Sequence, residues 1–257
     1  AIGEILGWLP IGKECEITLE ANPENVSTEL FCDYALVGVN RISLGIQSLD
    51  DVLLKTLGRG HSTKQAIDAI HAVGISNLSI DLMYELPTQT LVSWEHTLDQ
   101  IPSLSITHVS LYNLTFEPHT GFFKHRQDLT PLLPPPEESL AMLELAVSKL
   151  EGFGLKRYEI SAFAREGFTS VHNTGYWTGR PFFGLGPSAF SYWEGKRFRN
   201  IANLKRYADQ LEKGLSPVDF EEKLPYPQNA QELFAVRLRL LEGADAQDLP
   251  IDSWKTL

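Results

Sequence analysis

Four polar side chains stand where strand-like runs meet their exit loops. Glu20 follows Ile17-Thr18-Leu19, Gln47 follows Ile42-Ser43-Leu44-Gly45-Ile46, and Asp81 interrupts the apolar run from Leu78 to Met83. Arg59 lies in the loop Gly58-Arg59-Gly60-His61 after the second run. A carboxylate inside an apolar run is costly to bury unless something partners it. If the three runs are adjacent parallel strands, their ends gather at one rim, where a β/α barrel places its functional groups. One Arg, two carboxylates and one amide suit a ligand with an α-amino-acid end and a ribose. The guanidinium can bind a carboxylate through two hydrogen bonds. Glu can receive an ammonium group, and Asp and Gln can bind ribose hydroxyls. The same residues would equally serve a structural network, with Arg59 paired to Asp81 or Glu20, or with Asp81 capping a loop.

A second constellation is Ser170-Val171-His172-Asn173-Thr174-Gly175-Tyr176-Trp177. A histidine near Tyr and Trp can bind a metal or a flat aromatic ligand. An isolated His-Asn pair also fits a satisfied histidine on a packed surface. Gly184-Leu185-Gly186-Pro187-Ser188-Ala189 is glycine-rich, but its proline and the lack of a clear preceding strand argue against a dinucleotide fingerprint. His61, His71, His96, His108, His119 and His125 show no metal-ligand spacing and read as surface or structural. Cys15 and Cys32 read as small buried hydrophobes. Neither a Gly-x-Ser-x-Gly elbow nor a P-loop occurs.

The elements that must position these residues alternate. Residues 1–9 carry Ile2, Ile5, Leu6 and Leu9 at helical spacing, broken by Pro10 and Gly12. Strands are expected near 15–19, 41–48, 78–83 and 108–114, with a further one at 157–162. Between them the pattern predicts helices at 28–34 behind Ser27, at 50–56, at 64–73 behind Ser62 or Thr63, and at 94–101 after Thr88 or Thr90. Gly74 is the expected stop of the third of these. Residues 120–136 read as loop, and 137–150 as an amphipathic helix. Strand–helix alternation over at least four strands predicts an α/β fold with a parallel sheet, an arc or a closed barrel. After Gly179 the pattern loosens, with helices expected at 204–213 and 231–241. The expected organisation is therefore a barrel portion over residues 1–179 and a C-terminal extension over 180–257.

With 257 residues the chain can bury a sizeable core. A formal charge of −11 argues against general binding to nucleic acid or anionic membranes. No apolar run is long enough to span a bilayer and no signal peptide is visible. Two cysteines cannot build a disulfide framework, so a reducing cytoplasm is expected. The chain opens at Ala1 inside a helical pattern and ends at Leu257 without a stop signal, as expected of a fragment or of a processed longer chain.

Several segments together resemble one family. Ser-Ile-Asp-Leu-Met-Tyr-Glu-Leu-Pro-Thr-Gln-Thr around Asp81, Leu-Glu-Ala-Asn-Pro around Glu20, Arg-Ile-Ser-Leu-Gly-Ile-Gln-Ser around Gln47 and Leu-Gly-Arg-Gly-His around Arg59 are similar, in order and spacing, to segments of oxygen-independent coproporphyrinogen III oxidases and their heme-chaperone relatives. These are radical S-adenosylmethionine (SAM) proteins. The resemblance implies a partial radical SAM (β/α) barrel in which Arg59 and Glu20 hold the methionine end of SAM and Gln47 and Asp81 its ribose region. Tyr-Glu-Ile-Ser-Ala-Phe-Ala from Tyr158 and the His172-Asn173…Tyr176-Trp177 segment resemble the heme-chaperone branch. That implies a heme or porphyrin ligand, with His172 as ligand to the heme iron, Asn173 and Tyr176 in support, and a recipient protein for the heme. Arg180, Lys196, Arg197 and Arg199 are then candidates for the heme propionates, or an ordinary solvated face. A similar Gly-x-Gly-Pro-Ser-Ala loop implies close backbone packing in the barrel.

One departure is large. The family holds a [4Fe–4S] cluster on three cysteines, usually spaced Cys-x3-Cys-x2-Cys, upstream of the Glu20 segment. Cys15 and Cys32 do not supply that spacing, so the cluster ligands are expected outside this chain. The reading is a heme chaperone of heme and porphyrin metabolism. Its alternatives are the family's enzyme, which decarboxylates coproporphyrinogen III oxidatively to protoporphyrinogen IX, and a cluster-less scaffold without catalysis.

Overall fold

The computed structural model describes residues 2–118 and 120–245. Ala1, His119 and residues 246–257, the end of the expected extension, lie outside the described residues. The chain forms two compact units, Ala1–Thr169 and Ser170–Leu257.

In the first unit α1 (Ile2–Gly7) precedes β1 (Thr18–Ala21), α2 (Thr28–Leu36), β2 (Arg41–Gln47), α3 (Asp51–Thr56), α4 (Thr63–Ala72), β3 (Asn77–Tyr84), α5 (Leu91–Gln100) and β4 (His108–Asn113). Two short helices follow, α6 (Gly121–Lys124) and α7 (Arg126–Leu129), then α8 (Pro136–Gly152), β5 (Lys156–Glu159) and β6 (Ala162–Ala164). The strands form one sheet in the order β1-β2-β3-β4-β6-β5. The pairings β1–β2, β2–β3 and β3–β4 are parallel, each strand beside its successor. Strands added always on the same side wind as a barrel wall does, whereas a doubly wound sheet reverses.

Local chemistry fixes the helix starts. The Ser27 hydroxyl accepts from the Leu30 N–H at 3.3 Å. Ser62 and Gln65 form a reciprocal capping box on α4, and Thr90 and Ser93 form another on α5. The Asp50 carboxylate accepts from Val52 and Leu53 at the start of α3.

The strands alternate between two chemistries. Ile42, Leu44 and Ile46 of β2, Leu78, Ile80 and Leu82 of β3, and Val109 and Leu111 of β4 are all buried. They form one core with helix residues Phe31, Ala66, Ile70, Leu98, Met142 and Leu150. Each such side chain removed from water contributes about 1.5–3 kcal/mol. Trp94 of α5 is fully buried there, and its indole N–H donates to the Met142 carbonyl at 2.9 Å, which joins α5 to α8. The intervening strand residues, on the opposite face, are mostly polar.

Four local expectations need correction. The single strand expected at 157–162 is two strands, with β6 antiparallel to both β4 and β5. The loop expected at 120–136 contains α6 and α7, because the Thr120 hydroxyl caps α6 through the Phe123 N–H at 3.1 Å. Gly74 does not close α4; Val73 leaves the helix in an extended conformation first. Cys15 and Cys32 are exposed rather than buried, Cys15 in the segment before β1 and Cys32 on the solvent side of α2.

The second unit contains α9 (Val171–Trp177), β7 (Phe190–Trp193), β8 (Lys196–Asn200), α10 (Leu204–Glu212), β9 (Val218–Lys223) and α11 (Gln228–Arg237). Its three strands make an antiparallel sheet that the charged sequence hides. Cross-strand ion pairs explain how such strands hold together: Lys196–Glu221 at 2.8 Å, Arg197–Glu222 at 2.6 Å and Arg199–Asp219 at 3.1 Å. The glycine-rich loop packs closely in this unit, not in the barrel portion. The Asn200 amide donates to the Gly184 and Gly186 carbonyls at 3.2 and 2.9 Å, and a Cβ at Gly184 would run into the Phe190 carbonyl.

Candidate functional site

The polar face of the first sheet is layered by register. Thr18 and Arg41 are paired in one layer, and Glu20, Ser43, Ser79 and His108 form the next. Asp81 lies opposite Ser110 in the layer beyond, and Met83 opposite Tyr112 after that. Glu20 and Asp81 therefore share a face in successive layers. Burial is the main cause that pushes the Asp81 carboxyl up to about 6. The negative charge of Glu20 adds to the rise, while the Ser110 and Ser43 hydroxyls and the Arg41 charge oppose it. The Ser43 hydroxyl donates to Asp81 Oδ1 at 3.4 Å.

At the next level Gln47 lies over Gly45, and Arg59 reaches Asn22. Gln47 leaves β2 with φ of 66°, which turns its nearly buried side chain back over Gly45. A Cβ at Gly45 would sit 3.0 Å from Gln47 Nε2 and 3.1 Å from Asn22 Oδ1, so glycine lets these amides close in. Arg59 donates to the same Asn22 oxygen at 3.4 Å. The loop that carries Arg59 is tied down by His61, whose ring nitrogens lie 3.0 Å from Glu24 Oε2 and 3.1 Å from the Ile46 carbonyl. Among the described residues Arg59 forms no ion pair, so the pairing with Asp81 or Glu20 open to it in the sequence is not made. A half-buried guanidinium without a carboxylate beside polar strand ends can receive an anion.

Sequence reasoning missed Asn22, the hydrogen-bond partner of Arg59, although it follows Glu20 by two residues. It also missed a buried chain on the polar face. Ser79 Oγ lies 2.8 Å from His108 Nδ1, and His108 Nε2 lies 2.9 Å from the Tyr158 hydroxyl. Burial, helped by the Arg41 charge, brings the His108 imidazole down to about 3, so it is neutral at physiological pH. Arg41 is itself buried, bonded to Thr18 at 3.5 Å and 4.0 Å from Glu16. The signal for these residues was the strict polar–apolar alternation Arg41-Ile42-Ser43-Leu44, Ser79-Ile80-Asp81-Leu82 and His108-Val109-Ser110-Leu111.

The second set lies on α9 in the second unit. Ser170 caps this helix through the Asn173 N–H at 3.2 Å. His172 is exposed, and its ring stands edge-on to Tyr176 at 4.7 Å. Tyr176 in turn packs edge-on to Phe182 at 4.6 Å. Arg180 donates to the Val171 carbonyl at 3.1 Å, while Lys196, Arg197 and Arg199 are held by the carboxylates of β9.

Among the described residues no group of three His, Cys, Asp or Glu could hold a metal ion. The two exposed thiols lie on different elements and do not make a three-cysteine set. Among the described residues no helix is long and apolar enough to cross a membrane.

Residues 2–101 match the radical SAM superfamily model. The chain is 39% identical over 223 residues to the heme chaperone HemW of Bacillus subtilis, covering 85% of this chain and 59% of that protein. It is 35% identical over 249 residues to the heme chaperone HemW of Synechocystis, covering 95% of this chain and 60% of that protein. The chain thus spans about three-fifths of these relatives' length. Its fold matches the radical SAM enzyme coproporphyrinogen III oxidase (HemN) of Escherichia coli with a TM-score of 0.79 at 20% identity, over 93% of this chain and 58% of that one. Residues 2–101 thus match the radical SAM superfamily, the chain is similar over most of its length to HemW heme chaperones, and its likeness to coproporphyrinogen III oxidase is one of fold.

Proposed function

We propose that this chain serves a heme chaperone that binds heme and passes it to a recipient protein. The observation that carries the reading is the identity of 39% and 35% to two heme chaperones over most of the chain. His172 supports it: an exposed imidazole braced by Tyr176 is a suitable ligand for heme iron. Asn173 and Tyr176, on the same helix, flank it.

The strand-end rim is the proposed SAM site. Arg59 binds the methionine carboxylate, Glu20 the ammonium, and Gln47 and Asp81 the ribose hydroxyls. SAM supplies radical chemistry in this family when a [4Fe–4S] cluster is also bound; the residues of this chain bind and orient it. Both cysteines are free thiols, which supports a reducing cytoplasm as the compartment.

A heme titration followed at the Soret band tests the reading. Saturable binding is expected, weakened about tenfold or more in His172→Ala. No saturable binding, or binding indifferent to His172, would move the assignment to the family's oxidase.

A further inference from the structure

A cavity of about 510 Å³ lies within the second unit, between one face of the β7–β8–β9 sheet and helices α9 and α11. Its size falls in the range of small-molecule sites. Tyr176, Phe182, Tyr192 and Tyr226 give it aromatic walls, and Leu233 and Val236 of α11 close the other side. Aromatic and branched apolar walls suit a flat conjugated ring.

Charge orients such a ligand. Arg197 lines the cavity but is already paired with Glu222 at 2.6 Å and with Glu232, so that group carries a net negative charge. Arg180 also lines it and meets no carboxylate among the described residues. Its guanidinium crosses Gly175, where any Cβ would collide with it, and is anchored on the Val171 carbonyl. The lining therefore carries one cationic position at Arg180 and an acidic one at Glu222 and Glu232, and an anionic ligand must point its carboxylate at Arg180.

We infer that this cavity seats the ring of a planar aromatic carboxylate, here the porphyrin of the proposed heme, with a propionate on Arg180. The inference rests on the chaperone reading and adds the seat of the macrocycle to the iron ligand. His172 precedes the wall residue Tyr176 by one helical turn, so both lie on the same side of α9.

Metal-free protoporphyrin IX is the probe, since it binds without an iron ligand, and its dimethyl ester is the control. The full chain should bind the diacid saturably, measured by quenching of tryptophan fluorescence. Ala230→Trp, which fills the cavity from α11, should weaken binding about tenfold or more. Arg180→Gln should weaken the diacid about fivefold and leave the ester within about twofold. Absence of saturable diacid binding, or wild-type affinity in a folded Ala230→Trp protein, would overturn the inference. If Ala230→Trp does not fold, the Arg180→Gln contrast decides, and equal effects on diacid and ester overturn it. Heme binding that needs His172 while the diacid ignores Ala230→Trp leaves the chaperone reading standing and removes the cavity. Diacid binding that needs Ala230 while heme ignores His172 does the reverse.

Discussion

Replacing Asp81 by Asn should stabilise the protein at neutral pH and leave it little changed in mild acid. The carboxyl titrates near 6 in the folded protein against an ordinary value of 3.8, chiefly because it is buried. Between these values the folded state holds a proton that the unfolded state has released, so stability falls as pH rises through that window. A shift of that size corresponds to a penalty of about 3 kcal/mol, fully present above the folded value and absent below 3.8. Asn keeps the shape and can still accept from the Ser43 hydroxyl, so the substitution removes the charge with little repacking. His108 acts in the opposite direction. Its imidazole is brought down to about 3, so the unfolded state binds the proton first and stability is lost as pH falls below 6.5. The raw profile of the parent therefore mixes two opposed slopes, and the variant-minus-parent difference isolates Asp81. Urea unfolding of both proteins at intervals from pH 4 to 8, followed by the fluorescence of the tryptophans, supplies that difference. A gap that grows from near zero at pH 4 to about 2–3 kcal/mol at pH 7 is expected. A flat difference, or a variant less stable than the parent at pH 7, would refute a desolvated Asp81 and with it the layered polar face.

Arg59→Ala should lower SAM affinity about tenfold to a hundredfold in calorimetric titration while thermal unfolding stays put, because the residue's side-chain hydrogen bond to Asn22 is a long one. His61→Ala should weaken SAM about fivefold without touching it, since the Arg59 loop then loses its ties to Glu24 and Ile46; an unchanged affinity would show that the loop is held by other means. Tyr158→Phe leaves a buried nitrogen of His108 without its oxygen partner and should cost about 1–3 kcal/mol in chemical denaturation. Gly184→Ala should destabilise the second unit by about 2 kcal/mol or more, seen as an earlier loss of hydrogen-exchange protection in β7 and β8 than in the first sheet.

Much of the first unit was legible because its signals are local. Ser27, Asp50, Ser62 and Thr90 cap the helices they precede, and the strands at Arg41, Asn77 and His108 follow from short β-rich runs bounded by turns. What escaped depends on partners distant in sequence. The β5–β6 hairpin reverses direction over Ile160-Ser161 and joins β4 antiparallel, which periodicity in one segment cannot express. The strands of the second unit carry Lys196, Arg197, Arg199, Asp219, Glu221 and Glu222, a composition that reads as solvated loop until the opposing charges are brought together. Cys32 shows the reverse error: apolar chemistry suggested burial, but its place on α2 turns it outward.

The site in the first unit follows from the same alternation that builds its core. A strand residue facing the helices must be apolar to bury its surface, and its neighbours then face the other way with no helix to cover them. Those positions can be polar only if they pair with each other across strands or meet a ligand. Near the strand starts they pair: Arg41 with Thr18 and Glu16, and His108 with Ser79 and Tyr158. Toward the strand ends that pairing thins. Among the described residues Asp81 has two serine hydroxyls and no ion pair, with Arg41 acting only by its charge, and Arg59 has an amide oxygen and no carboxylate. A carboxyl titrating near 6 and a guanidinium lacking an anion are the two halves of an incomplete network, and a zwitterionic ligand carrying a carboxylate and hydroxyls is of the kind that completes both at once.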